Sequence, residues 1–202
     1  MKENKEVITT PSDPREQPTI TIEFTQELLD QWLVTYFKRH PRAHKIPITT
    51  PAQPSLNIWT ILPRISMNTL KQNYKDYVNF VIKSYGLEML GISKCKVTYK
   101  TFVATKTRID LDNTTPKQLL DSFSSAESGV IVDDGYSCIT SLTLLAEYRK
   151  GQKGSVLIFS ECEYDKKLLM ETREKELAKS AKRKATTLDN KLKKKNKKYK
   201  KR

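Results

Sequence analysis

The chain has 202 residues, of which 37% are hydrophobic, so it is long enough for one ordinary domain with a core and some extension. No apolar run reaches the roughly 18 residues that span a bilayer, and the polar segment Met1–Glu6 is not followed by a hydrophobic signal segment. These features argue against membrane and secreted proteins, and we expect a cytoplasmic one.

The cysteines agree with a reducing compartment. Cys95, Cys138 and Cys162 are odd in number, far apart and form no CxxC pair. We therefore predict reduced structural thiols rather than a disulfide framework or a zinc site.

The net charge of +14 is concentrated near the C-terminal end. Residues 166–202 hold 17 Lys and Arg but four acids, which leaves +13 there and +1 elsewhere, where 20 bases stand against 19 acids. A tail of this kind typically binds a polyanion. The remaining chain is nearly neutral, so any activity in it must depend on a local arrangement of side chains.

Composition predicts four segments. Residues 1–18 combine prolines with polar residues and predict a disordered leader. Residues 19–45 form an N-terminal strand and helix extension, and 46–162 form the central domain. Residues 163–202 predict a basic helix followed, after Thr187, by a disordered lysine-rich run.

The N-terminal extension predicts a strand over 19–24 and a helix capped by Thr25. Apolar residues recur at helical spacing from Leu28 to Phe37, and Pro41 ends the helix. This face suits either a partner or dimer contact or packing on the core. We favour the core, because amphipathic helices usually cover one.

The proline-rich residues 46–63 predict an irregular loop before a second helix, which Ser66 caps and Gly86 ends. Its apolar face includes Tyr74 and Tyr77. Such tyrosines suit base stacking, but a stripe of this type more often lies in a core.

Residues 95–103 then alternate with the period of a strand. Thr115 and Pro116 predict the N-cap and first residue of a helix that Gly129 ends.

Two later runs, 138–149 and 155–161, flank Lys150–Gly154 and predict a β-hairpin. The element order is strand, helix, strand, helix, strand, strand. It predicts an α+β fold with a small mixed sheet and helices on one side.

An acidic group lies at the centre of the chain. In an extended segment Asp110 and Asp112 would point to one side while Leu111 turns towards the core. Close carboxylates repel unless a cation lies between them, and oxygen ligands without His or Cys select Mg²⁺ or Mn²⁺. Asp134, after the apolar run 130–132, is a candidate third ligand. An ion held there would lower the pKa of an attacking water.

A lysine accompanies these acids. Lys117 falls in the first turn of the predicted helix, where its charge adds to that of the helix N-terminus and suits a phosphate. Asp121, one turn later, would hold the Lys117 ammonium or act as a more distant metal ligand. Asp and Asn are also common turn residues. The combination of acids with the lysine favours catalysis.

The central stretch resembles the signature of RusA-type endodeoxyribonucleases, a family of phage-derived Holliday-junction resolvases. The matching positions are Asp110, Asp112, Asn113, Lys117, Asp121 and the turn from Gly129 to Asp134. The Pro54–Asn57 loop and the helix and strand after it are similar in kind and order, so the likeness covers roughly 46–160. It implies a RusA-like homodimer that cuts four-way DNA junctions symmetrically in recombination and repair.

The resemblance also implies roles for single residues. Asp110, Asp112 and Asp134 would be catalytic carboxylates that bind Mg²⁺, with Mn²⁺ as a substitute, and Lys117 would be the catalytic lysine. The DNA-binding candidates are Lys106 and Arg108, which stand where the family has basic residues before the first aspartate.

Two alternatives remain open at this point. The first is a non-catalytic nucleic-acid-binding protein that acts through its basic tail, with the acids serving as turn residues. The second is a nuclease with broader preference for branched DNA, such as flaps or forks.

Overall fold

The structure is a computed structural model that describes residues 19–106 and 110–199. The predicted leader, 1–18, lies outside the described residues. The described residues form an α+β fold, as predicted, with a four-stranded mixed sheet. The elements are β1 (Thr19–Phe24), α1 (Gln26–Arg39), α2 (Leu56–Ile61), α3 (Arg64–Ser84), β2 (Ile92–Val103), a 3₁₀ helix (Leu111–Thr114), α4 (Lys117–Phe123), β3 (Ile139–Tyr148), β4 (Gly154–Tyr164) and α5 (Lys166–Tyr199).

The strands lie in the order β1-β4-β2-β3. β4 is antiparallel to both of its neighbours, and β3 is parallel to β2. The predicted hairpin between β3 and β4 is therefore wrong, because β2 lies between them. Their connection passes the end of β2, where the Arg149 amide donates to the Val103 carbonyl at 2.9 Å. A glycine-containing turn shows where a chain reverses but not which strand fills the space between its arms.

The core lies on one face of this sheet. Ile20, Ile22 and Phe24 of β1 are buried, and they alternate with exposed residues. On α1, Leu29 and Trp32 have no exposed surface. The apolar face of α1 therefore packs on the core, which was the favoured of the two interpretations.

The starts of α1 and α3 differ in how well the sequence predicts them. The Thr25 hydroxyl accepts a hydrogen bond from the Leu28 amide at 3.3 Å, which confirms the predicted cap of α1. α3 begins at Arg64, directly after Pro63, so Ser66 lies inside the helix and does not cap it. Pro63 gives the chain an extended entry to the helix, and no side chain caps the first turn. The loop before it also contains the unpredicted short helix α2.

The tyrosines of α3 belong to the core. Tyr74 and Tyr77 are buried, and the Tyr77 ring packs edge-on to Phe24 with a centroid distance of 6.1 Å. Base stacking by these two side chains is thus not available, and the core interpretation is confirmed.

The segment after α4 runs beside the start of β2. The Ile92 amide donates to the Val130 carbonyl at 2.9 Å, and the Val132 amide donates to the Ile92 carbonyl at 2.8 Å. Gly129 does not end α4, which stops at Phe123, but it has a φ of +70° in the turn that follows. The buried run 130–132 leads from this turn to the acidic pair Asp133 and Asp134.

α5 is one continuous helix from Lys166 to Tyr199, whereas the sequence predicted disorder after Thr187. Its beginning packs on the fold, where Leu169 is buried. All three cysteines are free thiols, as predicted. Among the helices in the described ranges, none is both long and apolar enough to cross a membrane.

Candidate active site

The segment that carries the first acids is a turn and not a strand. Asp110 is extended, with φ −81° and ψ 119°, and Leu111–Thr114 form the 3₁₀ helix. Residues two apart in such a helix are separated by about two thirds of a turn. The extended backbone behind the expectation of a shared face therefore stops at Asp110, and the shared orientation of the Asp110 and Asp112 carboxylates stays a prediction. Turn-forming Asp, Asn and Thr residues favour this compact local geometry.

Leu111 also departs from its predicted place. Its side chain is 43% exposed and does not enter the core. The side chain of Asp112 and the whole of Arg108 lie outside the described residues. Lys106, the other DNA-binding candidate, lies three residues after the end of β2, with Nζ 5.6 Å from the centroid of the Tyr148 ring.

The start of α4 is held by a residue that the sequence did not indicate. The helix begins at Lys117, one residue later than predicted, so Thr115 is not its N-cap. Gln53 Nε2 donates to the Thr115 carbonyl at 2.5 Å, and Gln53 Oε1 accepts from the Leu119 amide at 3.0 Å. One side-chain amide thus satisfies a backbone donor that a helix N-terminus leaves unpaired. Its closeness to the Pro54–Asn57 loop was the only available signal.

Two lysines converge on one carboxylate of α4. Lys117 Nζ lies 3.7 Å from Asp121 Oδ1, which is the contact predicted for this pair. Lys71 of α3 lies 3.0 Å from Asp121 Oδ2 and was missed. Its place beside the apolar stripe of α3 was the available signal, since a base there can reach an acid on a neighbouring helix. Asp121 is therefore a positioning residue for two ammonium groups.

Asp134 interacts with Asp121 of this group. Burial raises the pKa of the Asp134 carboxyl above its ordinary value, and the charges of Asp121 and Asp133 raise it further, as does a hydrogen bond with Asp121. A carboxylate whose charged form is disfavoured by burial and by a like charge is frequent at functional sites. The fold therefore brings Asp134, Asp121, Lys117 and Lys71 together, although they come from three separate parts of the chain.

The donor chemistry of this cluster suits a hard cation. Asp121 and Asp134 supply carboxylate oxygens, and oxygen ligands are those that Mg²⁺ and Mn²⁺ prefer. Among the described side chains, no group of three His, Cys, Asp or Glu residues lies in an arrangement that could hold a metal ion. The trio Asp110, Asp112 and Asp134 stays a prediction, and the partner that the structure gives Asp134 is Asp121.

We refer to Lys71, Lys117, Asp121 and Asp134 as the carboxylate-lysine cluster. A search of models of protein families and a search of curated proteins each find no match to this chain. The case for its function therefore depends on the residues themselves.

Proposed function

We propose that the protein is a cytoplasmic, homodimeric endodeoxyribonuclease that resolves four-way DNA junctions with Mg²⁺ during recombination and repair. The observation that carries the proposal is the carboxylate-lysine cluster, in which two close carboxylates meet two ammonium groups. The motif from Asp110 to Asp134, with its resemblance to RusA-type nucleases, adds the substrate class.

The residues have separate tasks in this proposal. Asp110, Asp112 and Asp134 would hold Mg²⁺, which when bound stabilises charge on the phosphate and lowers the pKa of water. Lys117, at the first residue of α4, would bind the scissile phosphate together with the helix N-terminus. Asp121 orients Lys117, and Gln53 fixes the first turn of α4 on which Lys117 lies.

The chemistry also requires that the cluster accept a negatively charged substrate. Lys71 and Lys117 together offset the acids, so a phosphate does not meet an unbalanced negative field. The Asp134 carboxyl, with its raised pKa, gains most from a nearby cation because ionisation is otherwise opposed by burial and by Asp121.

The position of β3 at the edge of the sheet supports the expectation of a homodimer. β3 is the outer strand of the sheet, and Leu142, Leu145 and Tyr148 on it are 42%, 41% and 46% exposed. Its only charged residue, Glu147, already pairs with Lys100 and Arg149. An edge strand with exposed apolar side chains and a single charged residue pairs readily with another strand. We propose that two copies join their β3 edges in antiparallel fashion, which would bring two sites to one junction.

Leu145→Lys is expected to convert this dimer to a monomer, because a charge on each strand would meet its copy across the edge. The measurement is size-exclusion chromatography with light scattering. The control is Val34→Lys, at a position on α1 that is 58% exposed. A monomeric wild-type protein, or a Leu145→Lys variant that remains dimeric, would contradict the β3 interface.

Binding through the basic tail alone is the second candidate function, since residues 166–202 carry +13 of the total charge. Deleting residues 186–202 distinguishes the nuclease from the tail-driven binder. A nuclease should keep cutting with weaker affinity, whereas a tail-driven binder should lose binding and show no dependence on magnesium.

Asp112→Asn tests the nuclease directly. We expect the variant to bind a labelled four-way junction as the wild-type protein does, but to cut it roughly 10³-fold more slowly, since metal-ion stabilisation contributes several kcal/mol. Cutting at the wild-type rate would refute the proposed site. Stronger cutting of flaps or forks than of junctions would support the nuclease but change its substrate.

A further inference from the structure

Among the side chains of α5 that the structure describes, those that attach the helix to the fold lie near its beginning. Leu169 is buried, and the amide of Asp165, directly before the helix, donates to the Gly91 carbonyl at 2.8 Å. Arg173 Nη1 donates to the carbonyls of Ser125 and Glu127 at 2.6 and 3.0 Å. These contacts fix the direction of the helix against the turn that leads to the buried run 130–132 and to Asp134.

The character of the helix changes where this packing ends. Among the side chains described from 177 to 187, all are exposed except the half-buried Ser180. We call residues 177–199 the arm. The arm holds 10 Lys and Arg and a single acid, a net charge of +9, whereas residues 166–176 hold four bases and three acids. Charge therefore begins to accumulate at the residue where contact with the fold stops.

The arm is poorly suited to remain alone in water. Four pairs of bases stand four residues apart in it, among them Lys179 with Arg183 and Lys191 with Lys195. Like charges at this spacing destabilise a helix. Because the arm contains one acid, it cannot neutralise itself, and a second copy of the arm would add repulsion. Its partner must supply closely spaced negative charges.

Two kinds of polyanionic surface meet that requirement, and the composition of the arm favours one. Helices that lie in a membrane surface carry Trp, Phe or Leu along one side. The arm has no Trp or Phe, and its larger apolar residues are Leu177, Leu188, Leu192 and Tyr199, which are few beside its ten bases. Its 23 residues extend for about 35 Å, close to the roughly 34 Å of one duplex DNA turn. This length suits a regular row of phosphates.

We infer that the arm is a second nucleic-acid contact, which binds the phosphates of duplex DNA away from the carboxylate-lysine cluster. Arg173 and Leu169 set the direction in which the arm leaves the fold, so the duplex it binds has a defined position relative to Asp134. The contact is independent of DNA sequence, because it is made to phosphates. It would serve a non-catalytic binder as well as a nuclease.

The test uses the full-length protein and replaces Lys191, Lys193, Lys194, Lys195, Lys197 and Lys198 with glutamine. The control replaces the same six residues with arginine and keeps the charge. Binding to a labelled, unbranched duplex of about 30 base pairs is measured by fluorescence anisotropy without metal, over a range of salt concentrations. Each phosphate contact contributes about 0.9 to the slope of log K against log salt.

We expect the glutamine variant to bind the duplex about 10² to 10³-fold more weakly, with a slope reduced by roughly 4 to 5. The arginine control should match the wild-type protein. Far-ultraviolet circular dichroism should show the same helix content in the glutamine variant as in the wild-type protein, so that weaker binding reports the lost charge. Unchanged affinity and slope in the glutamine variant, or tighter binding to vesicles of anionic lipid than to duplex, would overturn the inference.

The result can be separated from the fate of the proposed nuclease. Asp112→Asn should leave duplex binding and its salt slope unchanged, and the glutamine variant should still cut junctions at saturating protein concentration. Loss of salt-dependent binding without loss of cutting would support the arm and the site together. A protein that binds through the arm but never cuts would reject the nuclease alone.

Discussion

Replacing Asp134 with asparagine is expected to abolish magnesium-dependent cutting and at the same time to raise the melting temperature of the metal-free protein. The two effects have one cause. Burial and the charge of Asp121 disfavour the ionised Asp134 carboxylate, so the wild-type fold is destabilised by that charge at neutral pH. Asparagine removes the charge but is a poor ligand for Mg²⁺, and we expect a loss of roughly 10³-fold in cutting rate.

The stabilising effect should depend on pH in a defined direction. The pKa of Asp134 is raised in the folded protein, so the protonated form is favoured there and the penalty appears only when the group ionises. The advantage of Asp134→Asn should therefore be present at pH 7. It should shrink as the pH falls through the raised pKa and disappear below the ordinary aspartate pKa of about 3.9.

Thermal unfolding of the two proteins between pH 3.5 and 7.5, with and without Mg²⁺, measures this. The control is Glu171→Gln, which removes an exposed carboxylate on α5. It should change neither the melting temperature nor the cutting rate. Magnesium should raise the melting temperature of the wild-type protein and leave Asp134→Asn unchanged. A variant that is less stable than the wild type at pH 7, or that still cuts, would contradict the role of Asp134.

Replacing Trp32 with alanine is expected to lower the free energy of unfolding by about 3 to 5 kcal/mol. Trp32 is fully buried, and the centroid of its ring lies 5.2 Å from that of the Tyr36 ring and 5.7 Å from that of the Tyr77 ring. Its Nε1 also donates to Asp76 at 3.0 Å. Domains of this size have about 5 to 15 kcal/mol of stability in total, so the variant should lie near the limit of folding.

The hydrogen bond to Asp76 can be separated from the packing. Burial acts to raise the pKa of Asp76, but hydrogen bonds from Arg39 and Trp32 lower it below its ordinary value. Trp32→Phe keeps much of the apolar volume and removes the donor, so it should cost less than alanine. Its cost should be present at neutral pH and decline as Asp76 is protonated in acid.

Urea unfolding of Trp32→Ala, Trp32→Phe and Val34→Ala makes this comparison. Val34 lies on the exposed side of α1 and should change stability by less than about 0.5 kcal/mol. If Trp32→Ala lowered the free energy of unfolding no more than Val34→Ala does, α1 would not be part of the core. Its apolar face would then be available to a partner.

The sequence predicts local elements of this fold better than their pairing. Alternation over 95–103 correctly indicates β2, and Thr25 correctly caps α1, because both signals arise within a few residues. The insertion of β2 between β3 and β4 depends on contacts between distant strands. The short segment from Asp110 to Thr114 was also misjudged, since an Asp-x-Asp pattern fits a turn as well as a strand.

In the carboxylate-lysine cluster, too, the sequence predicts the local contact but not the distant one. Its members on α4, Lys117 and Asp121, were predicted together because they are four residues apart on one helix. Lys71 was missed because it lies in a different helix, 50 residues before Asp121. Lys75, one turn along α3, likewise pairs with Glu127. A row of bases beside an apolar stripe therefore predicts an acidic neighbour, but the sequence alone does not identify which acids lie opposite.

Cleavage of a labelled four-way DNA junction, with Mg²⁺ or with a chelator, is the decisive measurement of the proposed nuclease activity. The wild-type protein and Asp112→Asn are compared under single-turnover conditions, and the cut positions are mapped on all four strands. Paired symmetric cuts that need Mg²⁺ and disappear in Asp112→Asn are the predicted result. Binding without any cut, at several metals and pH values, would contradict it and leave the acidic residues with a structural role.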